Sequence, residues 1–214
     1  MKNILKNFYQ KFNRNYQTDF LSKKELSYFD GCKKILDLGC GEGNFVSLDR
    51  KRIIGLDHNK KSLAICRKKG LKVIFGEVVQ LPFPASSFEG VRCSHLIEHL
   101  LPKEAYKMIS EIGRVLKKGG IFILSTPILW EGFYDDFTHL KPYYPKSIRR
   151  YLLYDGSQKT LDDIGYRFKE IDFYWRYRSL PFPGKIGKLI SSWLFQYGIH
   201  TFKRNAYTLV LEKR

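Results

Sequence analysis

Short apolar runs recur along the chain, and each is bounded by Gly, Asp or Pro. Runs of this length are typical of strands that are buried on both faces of a parallel sheet. Five of them lie in the first 127 residues, and two more follow towards the C-terminus. The predicted strands are 35–38, 52–57, 71–76, 88–94, 121–126, 166–175 and 206–211.

Helical patterns lie between these runs. The clearest covers 102–118, where apolar residues recur every three or four positions, Pro102 suits the first turn and Gly119 suits the stop. Shorter helical patterns cover 59–69 and about 146–154.

The alternation of strand and helix predicts an α/β fold. We expect a Rossmann-like, doubly wound, mostly parallel seven-stranded sheet with helices on both faces, formed by residues 1–214 as a single domain. Three segments are expected to lie outside this core. They are an N-terminal helical extension (1–32), a substrate-side loop (128–145) and a basic amphipathic insertion before the last strand (178–204).

Glycines are concentrated directly behind the first predicted strand, in the stretch LDLGCGEG at 36–43. Open parallel sheets bind ligands beyond the carboxyl ends of their strands, and glycine lets the backbone turn sharply and approach a ligand closely. The spacing differs from the dinucleotide fingerprint because the third glycine comes one position early. Glu42 also places an anion where a pyrophosphate would lie. An acidic loop favours a cofactor with a cationic end, such as S-adenosylmethionine.

A carboxylate follows at the end of the second predicted strand. Asp57 lies 20 residues after Asp37, a spacing at which a carboxylate can bind both hydroxyls of a ribose. The alternative role for Asp57 is a simple helix cap.

Five segments, in this order, resemble the class I S-adenosylmethionine-dependent methyltransferases, in the branch with small-molecule C- and O-methylating enzymes. They read ILDLGCGEG, IIGLD, GEVVQLPFPASSFEGV, SHLIEHL and IGRVLKKGGIFILSTP, and they span about residues 33–127. The resemblance implies a methyltransferase that uses S-adenosylmethionine. Two positions depart from the family pattern: Glu89 stands where Asp is common, and Arg92 is a charge inside a strand.

The resemblance also implies which residues contact the cofactor. The glycine loop would hold its methionine end, and residues at the ends of the next three strands would hold the ribose, the adenine and the methyl donor. The implied contacts are Asp37, Gly39, Cys40 and Gly41 at the methionine end, Asp57 at the ribose, His58 beside the adenine, Glu77 and Val78 at the adenine edge, and Ser94 and His95 under the methyl donor.

Methyl transfer to a hydroxyl or an amine needs a proton acceptor, and His is the side chain best poised for this role near neutral pH. The candidate catalytic residues are His139, His95 and His99, all in expected strand-end loops. Packing or capping, together with Glu98, is the alternative role for His99. A loop held by its own aromatic side chains is the alternative for His139. Asp135, Asp136 and His139 could bind a divalent metal, but they lack the spacing of a specific ligand set, so no metal site is predicted.

The net charge of +17 suggests either an anionic partner or a lysine-rich solvated surface. The segment 176–205 holds six Lys or Arg residues and no Asp or Glu. Within it, 184–198 places apolar and aromatic side chains on one helical face. This pattern indicates either peripheral contact with a membrane, or a substrate-side lid or core helix. Nucleic acid is not the expected partner, because no Pro-Pro-aromatic motif follows the fourth strand and no appended RNA-binding fold is visible.

Cysteine spacing and hydropathy favour a cytoplasmic protein, with peripheral membrane contact as an addition. The four cysteines match no metal or redox motif, no apolar run approaches 18 residues, and the N-terminus lacks the features of a secretory signal.

The main hypothesis is a methyltransferase that acts on a small-molecule acceptor or on one linked to a lipid or a sugar. A non-catalytic S-adenosylmethionine-binding accessory protein and an RNA methyltransferase are the alternatives. The acceptor, the atom that is methylated and the oligomeric state stay open.

Overall fold

The computed structural model describes residues 16–154, 164–177, 187, 190, 193–194, 197–199, 201 and 203–214. The helices in this part of the chain are α1 (Tyr16–Ser27), α2 (Lys60–Lys68), α3 (Pro102–Val115) and α4 (Pro145–Leu152). The strands are β1 (Ile35–Leu38), β2 (Ile53–Asp57), β3 (Val73–Phe75), β4 (Phe88–Ser94), β5 (Leu116–Pro127), β6 (Phe168–Tyr177) and β7 (Arg204–Lys213).

The seven strands form one sheet in the order β3-β2-β1-β4-β5-β7-β6. The first five strands are parallel to one another, and β7 runs antiparallel between β5 and β6. The strand order reverses between β1 and β4, so loops that leave their carboxyl ends diverge and open a crevice. The predicted Rossmann-like, mostly parallel sheet is confirmed.

Apolar cores cover both faces of the sheet, because alternate residues of a strand point to opposite sides. Leu36 of β1 belongs to the core that also buries Met108 of α3 and Ile148 of α4. Ile35, its neighbour in the chain, belongs to the opposite core together with Leu63 of α2. Helices therefore lie on both faces, as expected.

Helix α3 ends earlier than the sequence pattern predicts, at Val115 instead of residue 118. The last carbonyls of a helix need partners. Those of Arg114 and Val115 accept hydrogen bonds from the N–H groups of Ser86 and Ser87. The loop before β4 thus caps the helix and lets the chain enter β5 at once.

The outlying segments are described only in part. Residues 1–15 of the N-terminal extension and most of the 178–204 insertion lie outside the described residues, and so does the predicted membrane contact through 184–198. Within the described part of the chain, no helix combines the length and the apolar character needed to cross a bilayer.

Candidate active site at the carboxyl edge of the sheet

The glycine loop leaves β1 in the left-handed region that residues with a Cβ rarely adopt. The φ angles are +66° at Gly39, +52° at Gly41 and +77° at Gly43. A Cβ on Gly43 would lie 2.4 Å from Leu71, and a Cβ on Gly39 would lie 3.2 Å from Leu96. A Cβ on Gly41 would meet nothing within 4 Å. The outer glycines therefore have close side-chain neighbours, whereas Gly41 presents an open backbone face.

Asp57 fastens this loop to the end of β2. Its Oδ2 accepts the N–H of Gly41 at 2.8 Å, and its Oδ1 accepts the N–H of Asn59 at 2.8 Å. A carboxylate offers about four lone-pair sites, so acceptor capacity remains for a ligand. The side chain that caps α2 is Asn59, not Asp57. The capping alternative for Asp57 therefore does not apply.

Asp37 points into the protein. It is 1% exposed, and its Oδ1 accepts a hydrogen bond from Arg92 at 2.9 Å. The same guanidinium donates to Glu25 of α1 at 2.6 Å and lies 4.2 Å from the ring centroid of Phe45. Burial raises the pKa of Asp37, although Arg92 opposes the shift. The unusual strand charge is thus explained as the centre of a buried ion-pair network, and direct contact of Asp37 with the cofactor stays a prediction.

The thiol of Cys40 also faces the core. A Cβ on Gly55 of β2 would lie 2.6 Å from the Cys40 sulfur, so this glycine makes room for the side chain. Burial raises the pKa of the Cys40 thiol. The backbone of Cys40, more than its side chain, remains for contact with a ligand.

The predicted adenine residues lie at the ends of β2 and β3, which are adjacent in the sheet. Nδ1 of His58 lies 3.9 Å from Oε2 of Glu77, and the two side chains are 70% and 60% exposed. Val78 is half-buried against the core beneath them. The structure thus brings these three residues to one open edge.

A pair of charges on α3 holds the segment that follows. Glu111 accepts the N–H of Leu81 at 2.7 Å, and Arg114 donates to the carbonyls of Leu81 and Phe83 at 3.0 and 2.7 Å. Glu111 and Arg114 also bond to each other at 2.7 Å. This ion pair fixes the loop whose first residues form the adenine edge.

Two predicted residues end β4. Ser94 is half-buried, and His95 follows it with φ at +53°. Nε2 of His95 lies 3.1 Å from Nη1 of Arg176, and because a guanidinium can only donate, Nε2 must accept. The proton of neutral His95 is therefore on Nδ1, which lies 3.4 Å from Oε1 of Glu98. His95 can act as a base only after Arg176 releases this nitrogen.

The other two histidines meet above the ends of β4 and β5. The ring centroids of His99 and His139 are 4.8 Å apart. Nδ1 of His139 lies 2.6 Å from the carbonyl of Phe133, which can only accept. Nδ1 of His99 lies 2.9 Å from the Thr138 hydroxyl, whose own proton goes to Asp136. Both neutral rings therefore carry the proton on Nδ1 and a lone pair on Nε2.

Asp135 and Asp136, which the sequence analysis considered together with His139 as metal ligands, do not form a ligand set with it. Asp135 is exposed on a short turn, and Oδ1 of Asp136 is bound to Thr138. Oδ2 of Asp136 lies 3.9 Å from Nε2 of His139. The carboxylate that joins the two histidines is that of Glu98, which sequence reasoning treated only as a packing or capping residue.

Glu98 and Arg176 are the site residues that sequence reasoning missed. A charged residue inside the apolar stretch LIEHL was the available signal for Glu98. Arg176 lies in β6, far along the chain from the other site residues and outside every motif. Its side chain reaches His95 although β5 and β7 lie between β6 and β4 in the sheet, so no local pattern reveals the contact.

An apolar groove of about 390 Å³ lies between α3 and α4. One wall is formed by residues from Pro102 onward, which follow His99 closely in the chain. The other is formed by residues from Lys141 onward, which follow His139 closely. The lining residues are Pro102, Lys103, Ala105, Tyr106, Ile109, Lys141, Tyr143, Ser147, Ile148, Tyr151 and Ile164.

Comparisons with known proteins agree with this architecture. A family model described as "Methyltransferase domain" matches residues 36–124. A crystal structure of a SAM-dependent methyltransferase from Archaeoglobus fulgidus superposes with a TM-score of 0.69 at 21% identity, covering 97% of this chain and 98% of that one.

Curated relatives match the same central part. A probable S-adenosylmethionine-dependent methyltransferase from Mycolicibacterium smegmatis is 35% identical over 100 residues, which cover 44% of this chain and 38% of that protein. A fatty-acid O-methyltransferase from the same organism is 32% identical over 100 residues (42% and 36%). A tRNA (carboxymethyluridine(34)-5-O)-methyltransferase from Arabidopsis thaliana is 32% identical over 117 residues (54% and 28%). The match spans less than two fifths of the length of each relative.

The sheet order, the glycine loop fastened by Asp57 and the family match carry the same conclusion. Residues 36–124 therefore match a methyltransferase domain, the fold is that of S-adenosylmethionine-dependent methyltransferases, and these likenesses imply S-adenosylmethionine as the cofactor.

Proposed function

We propose that the protein transfers the methyl group of S-adenosylmethionine to a small molecule that carries an apolar, lipid-like part. The observation that carries the methyltransferase proposal is the hydrogen bond between Gly41 and Asp57. It joins an open glycine backbone to a carboxylate across two adjacent strands, at the edge of the sheet where ligands bind.

The residues at this edge fit the cofactor. Asp57 keeps acceptor capacity for ribose hydroxyls, and each hydrogen bond to a charged group contributes about 1.5–3 kcal/mol. Glu42 adds negative charge to the loop, which suits the amino and sulfonium groups. When bound, S-adenosylmethionine supplies an activated methyl group, so the protein's main task is to align the acceptor and to exclude water.

His99 and His139 lie where an acceptor would meet the cofactor, on the loops after β4 and β5. Their free Nε2 lone pairs can take a proton or bind a cation. His95 is less available because Arg176 occupies its lone pair.

The exposed side chains of the loop after β5 support an apolar acceptor. The side chain of Phe137 is 97% exposed, and its neighbours in this surface are also apolar. They are Leu129, Tyr134, Leu140 and Tyr144. The groove between α3 and α4 continues from this loop, and Lys103 and Lys141 offer positive charge to an acidic group. The relative that is named a fatty-acid O-methyltransferase supports the same acceptor class.

Transfer of a labelled methyl group to acyl acceptors of increasing chain length tests this proposal. Ser147→Trp would fill the groove, whereas Lys146→Trp changes the neighbouring exposed position, which does not line it. Losing contact with two buried methylenes, at about 0.8 kcal/mol each, raises KM about tenfold. We expect this rise for long acceptors in Ser147→Trp alone. Equal KM values in both variants would refute the groove assignment, and cofactor binding without any turnover would favour an accessory protein.

RNA is the second candidate acceptor. The net charge of +17 and the relative named as a tRNA methyltransferase favour it. Because counterion release governs such binding, an RNA substrate predicts an affinity that falls steeply with salt concentration. Filter binding at several salt concentrations separates this candidate from the first.

A further inference from the structure

Two histidines and a buried carboxylate converge where the loops after β4 and β5 meet. Glu98, His99 and His139 each offer one ligand atom, and these atoms all lie within 4.8 Å of one another. The N–H groups of Leu140 and Lys141 donate to the carbonyl oxygen of Glu98 at 2.8 and 3.3 Å. Backbone hydrogen bonds therefore hold the two loops against each other and keep the three side chains close together.

Both imidazoles are prepared as ligands. Their Nδ1 atoms are bound to Phe133 and Thr138, which leaves the Nε2 lone pairs available. Histidines that bind metals are usually held in this way, by a hydrogen bond from the other ring nitrogen to a carbonyl or a carboxylate.

The carboxylate of Glu98 is buried and incompletely bonded. The side chain is 0% exposed, and Oε2 accepts the Thr126 hydroxyl at 3.0 Å. Oε1 has no hydrogen-bond partner among the described residues, since Nδ1 of His95, 3.4 Å away, is not aligned for one. A buried carboxylate oxygen without a hydrogen-bond partner is costly, which points to a cation at this position.

We propose that Glu98, His99 and His139 bind one divalent cation of the Zn²⁺ type. Two imidazole nitrogens and one carboxylate suit Zn²⁺, Co²⁺ or Ni²⁺, whereas Mg²⁺ and Ca²⁺ prefer oxygen ligands. Bonds of about 2.0–2.2 Å require the ligand atoms to close by about an ångström. Side-chain torsions can supply this movement. Three protein ligands leave a further position for water or for an acceptor oxygen.

Titration of the metal-free, untagged chain with Co²⁺, followed by visible absorption, tests the site without cofactor or acceptor. We expect saturation at one Co²⁺ per chain, with displacement by Zn²⁺ but not by Mg²⁺. His99→Ala and His139→Ala should each weaken binding at least about 100-fold, because loss of an outer-shell partner alone costs about 10–100-fold. Glu98→Gln should also weaken Co²⁺ binding. The matched control is His58→Ala, which removes an exposed histidine beside another carboxylate and should leave Co²⁺ binding unchanged.

Thermal unfolding distinguishes a lost site from a lost fold. Co²⁺ should raise the unfolding midpoint of the unmodified chain, because a ligand that binds only the folded state stabilises it. His99→Ala should keep its metal-free midpoint and lose the rise. Absence of saturable Co²⁺ binding, or unchanged binding in His99→Ala and His139→Ala, would overturn the proposal. Because methyl transfer is not measured, these results stand apart from the proposed function.

Discussion

Individual residues decide whether the loop after β1 can receive a ligand. Asp57 could be singled out because its spacing from the glycines is a local feature of the sequence, and its contact with a ligand stays a prediction. The burial of Asp37 could not, because it depends on register: Asp37 and Arg92 are direct partners across β1 and β4. The sequence shows that Arg92 is unusual but does not show which residues it binds. Glu98 escaped prediction for the same reason, since its neighbours are His95 just after β4, Thr126 on β5 and a distant loop at 140–141.

Gly41→Ala tests the open face of the loop. A residue with a Cβ costs about 1–2 kcal/mol in the left-handed conformation. The added methyl group would also enter the space that we assign to the cofactor. Gly70→Ala is a matched control, because Gly70 has φ at +68° and nothing within 4 Å of its Cβ position. We expect similar losses of stability in urea titrations and a loss of S-adenosylhomocysteine affinity in Gly41→Ala alone. Equal affinities in the two variants would contradict the assignment of this face.

Strands were easier to predict than the ends of helices. Buried parallel strands carry continuous apolar runs, so β1 and β4 could be located from the sequence. The end of α3 depends on hydrogen bonds from a loop 28 residues earlier, between Ser87 and Val115, which no local pattern reveals. The loop after β1 closes with a single helical turn at Val46–Leu48.

Glu25 joins α1 to the sheet through Arg92, so Glu25→Gln should destabilise the protein strongly. Breaking a buried ion pair costs about 3–5 kcal/mol. Asp37 would then be the carboxylate left to compensate the charge of Arg92. Glu131→Gln is the comparison, since the Glu131–Lys203 pair is 64% and 72% exposed and exposed pairs contribute about 0–1 kcal/mol. Urea denaturation measures both. Equal destabilisation would show that the Arg92 network is not what holds α1.

The Glu111–Arg114 pair should make the stability of the protein depend on pH. The hydrogen bond from Arg114 lowers the pKa of Glu111 below its ordinary value of 4.5. A carboxyl with a lowered pKa in the folded state stabilises the protein above its unfolded pKa, and this contribution is lost as the pH falls through the folded pKa. Glu111→Gln should therefore cost about 1.5–3 kcal/mol at neutral pH. The difference from the unmodified chain should shrink on acidification below 4.5 in urea titrations; a constant difference would contradict this view.

The whole molecule combines a methyltransferase core with features that are specific to its acceptor side. The core could be predicted because five motifs follow one another in the order of the strands. The acceptor could not be predicted, because the exposed loop after β5, the groove and the charge of +17 are each compatible with more than one ligand class. The acceptor therefore has to be identified by experiment.

Isothermal calorimetry with S-adenosylhomocysteine and NAD, on the unmodified chain and on Asp57→Asn, examines the cofactor site itself. We predict saturation by S-adenosylhomocysteine at one molecule per chain, no heat with NAD, and an affinity about 10- to 100-fold lower in Asp57→Asn, since each hydrogen bond to the carboxylate contributes about 1.5–3 kcal/mol. Saturation by NAD together with no response to S-adenosylhomocysteine would contradict the assignment of the glycine loop and Asp57.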